Sequence, residues 1–559
     1  MVRGLSLAMV ASFGLVACGA GTSTGSGITL AAVQELKLNI DTEPNSFDPG
    51  QQTYDYEATV GRTAFEALLK PKADLSDVQG AGAASYDVSS DGKTYTFHLR
   101  TDRKWSDGKP VVAKDYVYAW KRLLDPRLAA GYADPFFDAT VDGAANYGSL
   151  DPQKDAAKIP AFLDGLGLSA PDDHTFVVKL QNPAGYFKWV ASLWVGAPLR
   201  QDVVEKYAQP DGTSTWATKA EQIVSNGAFM ISEIAPKDHV SMVPNPNWSG
   251  QKPTLTKITY FEISDANQDF AKYQNGEEDQ NIVSLDNIQL VQSDPKLSKE
   301  LTKTPSLSTF WLSFNEKTPP FDNPKVRLAF AQSIDRNQYT QNISKGRDLA
   351  ATTFIPTGMP GHDETFKDVQ KFDATAAKAT LAASGVTAAQ LNGTHILLRN
   401  NTANKQVGEF MVAQVKDNLG VTLVIDLIDS KTVTKKIRKG DFTIYGPDGW
   451  GADYPDPQDW YDIFLTGTCH SLQWGCFSDK TYDDTIAKAD QTVATDARLK
   501  LYNQAGETLV KQAVVAFLYQ RRTWSLTKPY VKGLQGTPMD DGEISGDIVG
   551  FTGVQIAKH

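Results

Sequence analysis

Short runs rich in Val, Ile, Phe and Thr, bounded by Gly, Asp or Pro, punctuate the chain. They are Leu36 to Asp41, Thr94 to Arg100, Thr175 to Leu180, Thr256 to Ile263, Thr309 to Asn315, His395 to Arg399, Val421 to Leu427 and Asp441 to Tyr445. This pattern predicts strands. Between them, apolar residues recur at three- and four-residue spacing over Thr59 to Leu69, Ala113 to Leu124, Lys325 to Ile343, Asn404 to Asn418 and Arg498 to Lys511, which predicts amphipathic helices. Asp322-Asn323-Pro324 supplies a cap and a first-turn proline ahead of Lys325. The two element types interleave, so the class is mixed α/β, and no short internal period points to a solenoid or propeller. Stretches rich in Pro and Gly near 71–92, 196–212 and 303–325 are the expected crossings between lobes.

At 559 residues the chain exceeds what one core supports, so two or three domains with clefts between them are expected. Its 55 Lys+Arg and 66 Asp+Glu give a net charge of −11, which argues against a nucleic-acid partner. The N-terminus is a targeting signal: Arg3 is followed by the apolar stretch Leu5 to Ala17, too short to span a bilayer. Leu15-Val16-Ala17-Cys18, followed by Gly19, resembles the bacterial lipobox, in which cleavage before the Cys leaves it lipidated. Gly19 to Gly27 then reads as a Gly/Ser/Thr tether. The expectation is an exported body anchored at the cell envelope by Cys18, on the extracellular face or in the periplasm.

Two cysteines remain, Cys469 and Cys476. In an exported chain such a pair predicts a small disulfide-closed loop. A metal clip with His470 is the alternative, but it lacks a fourth ligand and a zinc-type spacing. No metal or other cofactor is expected.

Several segments in order resemble one family. Thr94-Tyr-Thr-Phe-His-Leu-Arg100, Trp105-Ser106-Asp107-Gly108-Lys109-Pro110-Val111 and Lys114-Asp115-Tyr116-Val117-Tyr118-Ala119-Trp120 look like the signature of the peptide and nickel solute-binding proteins of ABC importers. Leu38 to Pro49, Phe65 to Leu69, Ser225 to Phe229, Asn245 to Trp248 and Pro320 to Arg327 also have counterparts there. The resemblance runs from about residue 35 to 559. It implies a two-lobe periplasmic-binding fold with an inserted subdomain and a ligand cleft between lobes. The expected division is a signal peptide at 1–17, a tether at 18–32, a first lobe from 33–72 with 200–305 and 525–559, an inserted subdomain at 73–199, and a second lobe at 306–524.

Within that family, Gly449-Trp450-Gly451-Ala452-Asp453-Tyr454 is similar to the Gly-Trp-x-Ala-Asp-Tyr element of the oligopeptide-binding branch. By resemblance Asp453 pairs with the α-ammonium of a bound peptide, Gly449, Trp450 and Gly451 offer backbone groups to it, and Thr53, Tyr54, Asp55 and Tyr132 are further cleft residues. The chemistry agrees, since an ammonium stripped of water needs a carboxylate in its place. The neighbouring Asp448, Asp456, Asp459 and Asp462 read as surface charges, and their spacing is not that of an EF-hand. Tyr454 and Trp460 read as packing residues. One departure stands out: no Arg or Lys occurs in Ile444 to Asp448, where some relatives place a cation for the ligand's C-terminus.

An exported hydrolase is the competing class, but the chain has no G-x-S-x-G elbow, H-E-x-x-H helix or P-loop. A binder of dipeptides, nickel chelate, haem or sugar is the alternative within the family. The expected partners are short peptides and the membrane permease of an ABC importer, with the protein itself a monomer and not an enzyme.

Overall fold

The computed structural model describes residues 28–559 except 134–136, 138–139, 210–212, 541–543, 545 and 547. The expected signal sequence, the lipidated Cys18 and the Gly19 to Gly27 tether lie outside the described residues. Among the described residues no helix is long and apolar enough to cross a membrane.

The strands that organise the molecule are β1 (Glu35–Asn39), β2 (Ala83–Val88), β3 (Thr94–Leu99), β4 (Leu168–Asp172), β5 (Thr175–Lys179), β6 (Phe229–Ala235), β7 (His239–Pro244) and β8 (Lys257–Phe261). They are followed by β9 (Gln280–Ile282), β10 (Leu301–Phe314), β11 (His395–Arg399), β12 (Val424–Ile428), β13 (Ile444–Gly451) and β14 (Val515–Thr527). The principal helices are α1 (Asp55–Ala64), α2 (Ala113–Leu123), α3 (Ala266–Asn275), α4 (Pro324–Gln332), α5 (Ala374–Ala383), α6 (Thr402–Leu419) and α7 (Thr495–Lys511).

One four-stranded sheet runs β1-β8-β7-β6, and a second runs β2-β3-β5-β4. Tyr95, Phe97 and Leu99 point to the buried face of β3 at period two, as a half-covered antiparallel strand requires. These two sheets share one core, in which Leu36, Trp120, Phe176 and Trp216 are buried together with Val554 and Ile556 from the end of the chain. The larger sheet runs β9-β14-β10-β13-β11-β12. Its own core packs Phe314, Phe330, Ile396, Leu398, Met411 and Leu518 beneath α4 and α6. Separate cores under separate sheets are what make the molecule two-lobed α/β.

The structure departs from the periodicity at three places. The helix expected from Thr59 to Leu69 ends at Ala64, because the next carbonyls are taken by distant amides. Ala64 accepts from Gly227 N–H at 2.8 Å, Ala67 from Gly82 at 2.9 Å and Leu68 from Ala83 at 2.9 Å. The helix expected from Lys325 to Ile343 breaks at Ser333, where the freed groups are satisfied by side chains. Asn418 donates to the Ser333 carbonyl at 2.8 Å, Arg336 donates to those of Ala331 and Ile334, and Asp335 starts a new turn by accepting from Asn337 and Gln338 N–H. The expected break at 303–325 is instead mostly strand: β10 runs through Phe314, and Pro305 is accommodated by a register shift against β14 between Pro305 and Thr309.

The Ala64–Gly227 contact is tight. A Cβ on Gly227 would lie 2.6 Å from the Ala64 carbonyl oxygen and 2.7 Å from its carbon. Backbone atoms cannot swing aside as a side chain does, so Gly227→Ala is expected to destabilise the fold by about 1–3 kcal/mol, read as a lower denaturation midpoint at unchanged m-value.

Candidate functional site

β13 is built from an unpromising sequence, Ile-Tyr-Gly-Pro-Asp-Gly-Trp-Gly. It is a strand because β10 pairs with it along its length, with Phe310 opposite Gly449, Thr309 opposite Trp450 and Ser308 opposite Gly451. Gly449 is required by that pairing, since a Cβ there would meet the Phe310 ring at 2.4 Å. On the other side, β11 pairs with β13 only at Ile444 and Tyr445. Among the described residues no strand covers the second edge of 448–451, which leaves main-chain groups available there.

Asp453 stands two residues past that edge. Its backbone N–H donates to Asp459 Oδ2 at 2.9 Å, and its carboxylate Oδ1 accepts from the Tyr132 hydroxyl at 2.6 Å. Burial pushes the Asp453 carboxyl up to about 7, and Asp55 pushes in the same direction, while the Tyr132 hydroxyl and Arg62 pull against them. Tyr132 packs edge-on against Trp194 with ring centroids 5.1 Å apart, and the Arg62 guanidinium lies 4.5 Å from the Trp194 ring centroid. A cavity of about 280 Å³ opens beside Asp453 and reaches past Arg62 and Trp194 to Arg103, Trp248 and Phe551. On its wall Arg103 holds Glu66 with donor–acceptor distances of 2.6 and 3.1 Å.

The turn carrying Thr53, Tyr54 and Asp55 is shaped by one buried acid. Glu57 accepts from the backbone N–H of Thr53 at 2.8 Å, of Tyr54 at 3.1 Å and of Asn45 at 2.8 Å, fixing the entry to α1. Thr53 lies against Gly131, where a Cβ would meet its Cγ2 at 2.5 Å. Tyr54 is exposed and stacks on Tyr56. The structure thus gathers Asp55, Tyr132 and Asp453, places Gly449, Trp450 and Gly451 on the open-edged strand, and leaves Tyr54 facing solvent.

Sequence reasoning passed over Arg62, Trp194 and Glu57, which lie in ordinary helical or aromatic contexts. It also misplaced the neighbouring acids: Asp456 and Asp459 are buried, not solvated. Asp456 meets the buried Arg498 at 2.5 Å, a partner 42 residues away. Tyr454 and Trp460 are fully buried, as packing residues are. Although Ile444 to Asp448 has no cation, Arg399 at the end of β11 donates to the Tyr445 hydroxyl at 3.2 Å, which brings one beside β13 from the neighbouring strand. Cys469 and Cys476 form the disulfide, with Cα atoms 4.6 Å apart.

The family model for bacterial extracellular solute-binding proteins, family 5, matches residues 77–471. The chain belongs to this family. Its relatives include the periplasmic oligopeptide-binding protein OppA of Salmonella typhimurium, 31% identical over 94% of this chain and 95% of that protein. The periplasmic murein peptide-binding protein MppA of Escherichia coli is 29% identical over 96% of this chain and 95% of its own. Among solved structures, Escherichia coli MppA superposes with a TM-score of 0.79 at 26% identity, covering 95% of this chain and all of that one. Haemophilus influenzae OppA in complex with the peptide RPPGFSPFR superposes with a TM-score of 0.76 at 28% identity, again covering 95% of this chain and all of that one. The OppA and MppA relatives are named as periplasmic peptide-binding proteins.

Because the Tyr132 hydroxyl stabilises the ionised form of Asp453, Tyr132→Phe is expected to raise the Asp453 pKa further, seen as a higher midpoint pH when its carboxyl carbon resonance is followed in an NMR titration.

Proposed function

We propose that this protein is the lipid-anchored substrate-binding component of an ABC importer, and that it captures short peptides by closing two lobes over them. One lobe comprises 33–72, 200–305 and 525–559, the inserted subdomain 73–199 extends it, and 306–524 forms the second. The observation that carries this reading is the joining of a main-chain edge at 448–451 to the carboxylate of Asp453. A peptide adds to such an edge by backbone hydrogen bonds, independent of its side chains, and its α-ammonium then reaches Asp453. The peptide-binding names of the relatives and the bound peptide of the Haemophilus protein support the same assignment.

Each proposed contact has a distinct part. Gly449, Trp450 and Gly451 supply the edge, Asp453 neutralises the ammonium, and Tyr132 holds that carboxylate in position. Asp55, with Thr53 and Tyr54, forms the facing turn from the first lobe. Ligand favours the closed arrangement because only there do both lobes contact it, and closure presents the surface that the membrane permease reads.

Asp453→Asn is expected to weaken free-amine peptides by about 2–5 kcal/mol in isothermal titration, since the ammonium would be enclosed without its counter-ion. N-acetylated peptides should bind the native protein poorly. Equal affinity for free and acetylated peptides would remove Asp453 from its role.

Affinity should also depend on pH with a definite sign. In the free protein Asp453 holds a proton up to about pH 7, and an ammonium demands the ionised form. Peptide binding therefore expels a proton at lower pH, so affinity is full above that range and falls as pH drops through it, by at most about tenfold per unit. Titration in buffers of different ionisation enthalpy checks this directly, and Asp453→Asn should flatten the dependence.

A further inference from the structure

Three polar residues follow one another in the middle of β14, and two of them are engaged. Gln520 donates to the carbonyls of Ser306 and Thr357, both at 3.2 Å, and Arg522 donates to those of Gly346 and Arg347. Arg521 differs. It is half-buried, and among the described residues its guanidinium has neither a hydrogen-bond acceptor nor a carboxylate partner. Its contact is an aromatic ring, with Cζ 4.5 Å from the centroid of Phe310. Tyr519, paired with Phe310 across the two strands, stacks on the same ring at 4.9 Å and on Tyr339 at 4.8 Å. Packing thus holds the guanidinium in place while its N–H groups stay uncommitted.

Phe310 also joins this arginine to the site. It stands directly opposite Gly449, and its ring occupies the space where a Cβ on that glycine would lie, 2.4 Å away. Side chains alternate along a strand, so Gly449 and Gly451 share one face of β13 and leave it bare. Directly opposed residues point to the same face. A peptide added to the open edge therefore sends the side chain of the residue opposite Gly449 toward the Phe310 ring and the guanidinium resting on it. The acid in this neighbourhood is already taken. Burial and Asp348 push the Tyr519 hydroxyl up to about 12 while Arg521 and Arg347 pull it down, and Arg347 holds Asp348 at 2.8 and 3.1 Å. Positive charge is left over beside the ring.

We propose that Arg521 is a specificity-determining residue that takes a carboxylate of the bound peptide, borne by the peptide residue opposite Gly449 as an acidic side chain or, where the peptide ends there, as its C-terminus. The inference rests on the peptide reading above. Counted from an α-ammonium at Asp453, with the first residue opposite Gly451, the residue opposite Gly449 is the third. A guanidinium fork matches a carboxylate with two parallel N–H bonds, and one already stacked on a ring loses little further freedom in making them. The second residue of the peptide points to the other face of β13, which carries Asp448 and Trp450. An acid there is out of reach of Arg521 and meets Asp448 instead.

The test is isothermal titration of the native protein with matched peptides: Ala-Ala-Glu-Ala against Ala-Ala-Gln-Ala, Ala-Glu-Ala-Ala against Ala-Gln-Ala-Ala, and Ala-Ala-Ala against its C-terminal amide. Glutamate at the third residue is expected to bind about tenfold more tightly than glutamine, free Ala-Ala-Ala about tenfold more tightly than its amide, and glutamate at the second residue no more tightly than glutamine. The first pair reports a side chain as the source of the carboxylate and the last pair a terminus. A preference in either of these that Arg521→Gln abolishes and Arg521→Lys, with charge but no fork, partly restores supports the proposal and names the source. Equal affinities within both pairs in the native protein overturn it without any variant. So does an undiminished preference in Arg521→Gln, or an equal gain from glutamate at the second residue. Each of these outcomes leaves peptide binding itself intact, whereas a native protein that gives no heat with any of the peptides overturns the peptide reading and this inference with it.

Discussion

Burial of carboxylates in the segment from Asp448 to Asp462 is the constraint on which the cleft depends. Each acid there must be compensated, and the means differ. Asp456 has the Arg498 guanidinium, Asp459 a backbone N–H, Asp462 the Gln458 amide at 2.6 Å and Asp448 the Ser313 hydroxyl at 2.9 Å. Asp453 has the phenol of Tyr132, a neutral donor from another part of the chain. Removing one partner from such a set is far more damaging than its net contribution suggests, because a buried charge is left behind. Most of these matches are made within the segment or by the neighbouring elements, whereas the match for Asp453 comes from a residue 321 positions away.

The same scaffold serves relatives named for different ligands, from oligopeptides to murein peptides and dipeptides. That diversity fits a division of labour in which the two cores and the long strands β10 and β14 set the architecture, while a few side chains at the lobe junction set the chemistry. Glu57 illustrates the junction between these levels. It contacts no cleft atom of the second lobe in the hydrogen bonds described, yet four donors of the 45–54 turn converge on it, so the position of Asp55 depends on it.

Much of the fold was legible where local and tertiary preference agree. β1, β3, β5, β8 and β11 lie within a residue or two of their Val, Ile and Phe runs, and α2 and α6 follow their apolar periodicity. β14 was not legible, since Gln520, Arg521 and Arg522 interrupt its apolar run. Two of these are satisfied only by distant groups, Gln520 by the Ser306 and Thr357 carbonyls and Arg522 by the Arg347 carbonyl. β13 read as ending at Tyr445 because Gly, Pro and Asp disfavour strands, and only the β10 pairing overrides them. In the site, Asp453 and Tyr132 were legible as individual residues by resemblance. The bond between them, 321 positions apart, and the Arg498–Asp456 pair were not, since neither leaves a local trace.

The half-paired strand β13 also bears on solubility. An uncovered strand edge is a template for edge-to-edge association, which proteins ordinarily blunt with charge, proline or a covering element. Here the stretch that β11 leaves unpaired begins beside Pro447 and Asp448, so proline and charge both stand on this strand. The residues that make β13 hard to read as a strand therefore also make it a poor template for a second copy of the protein.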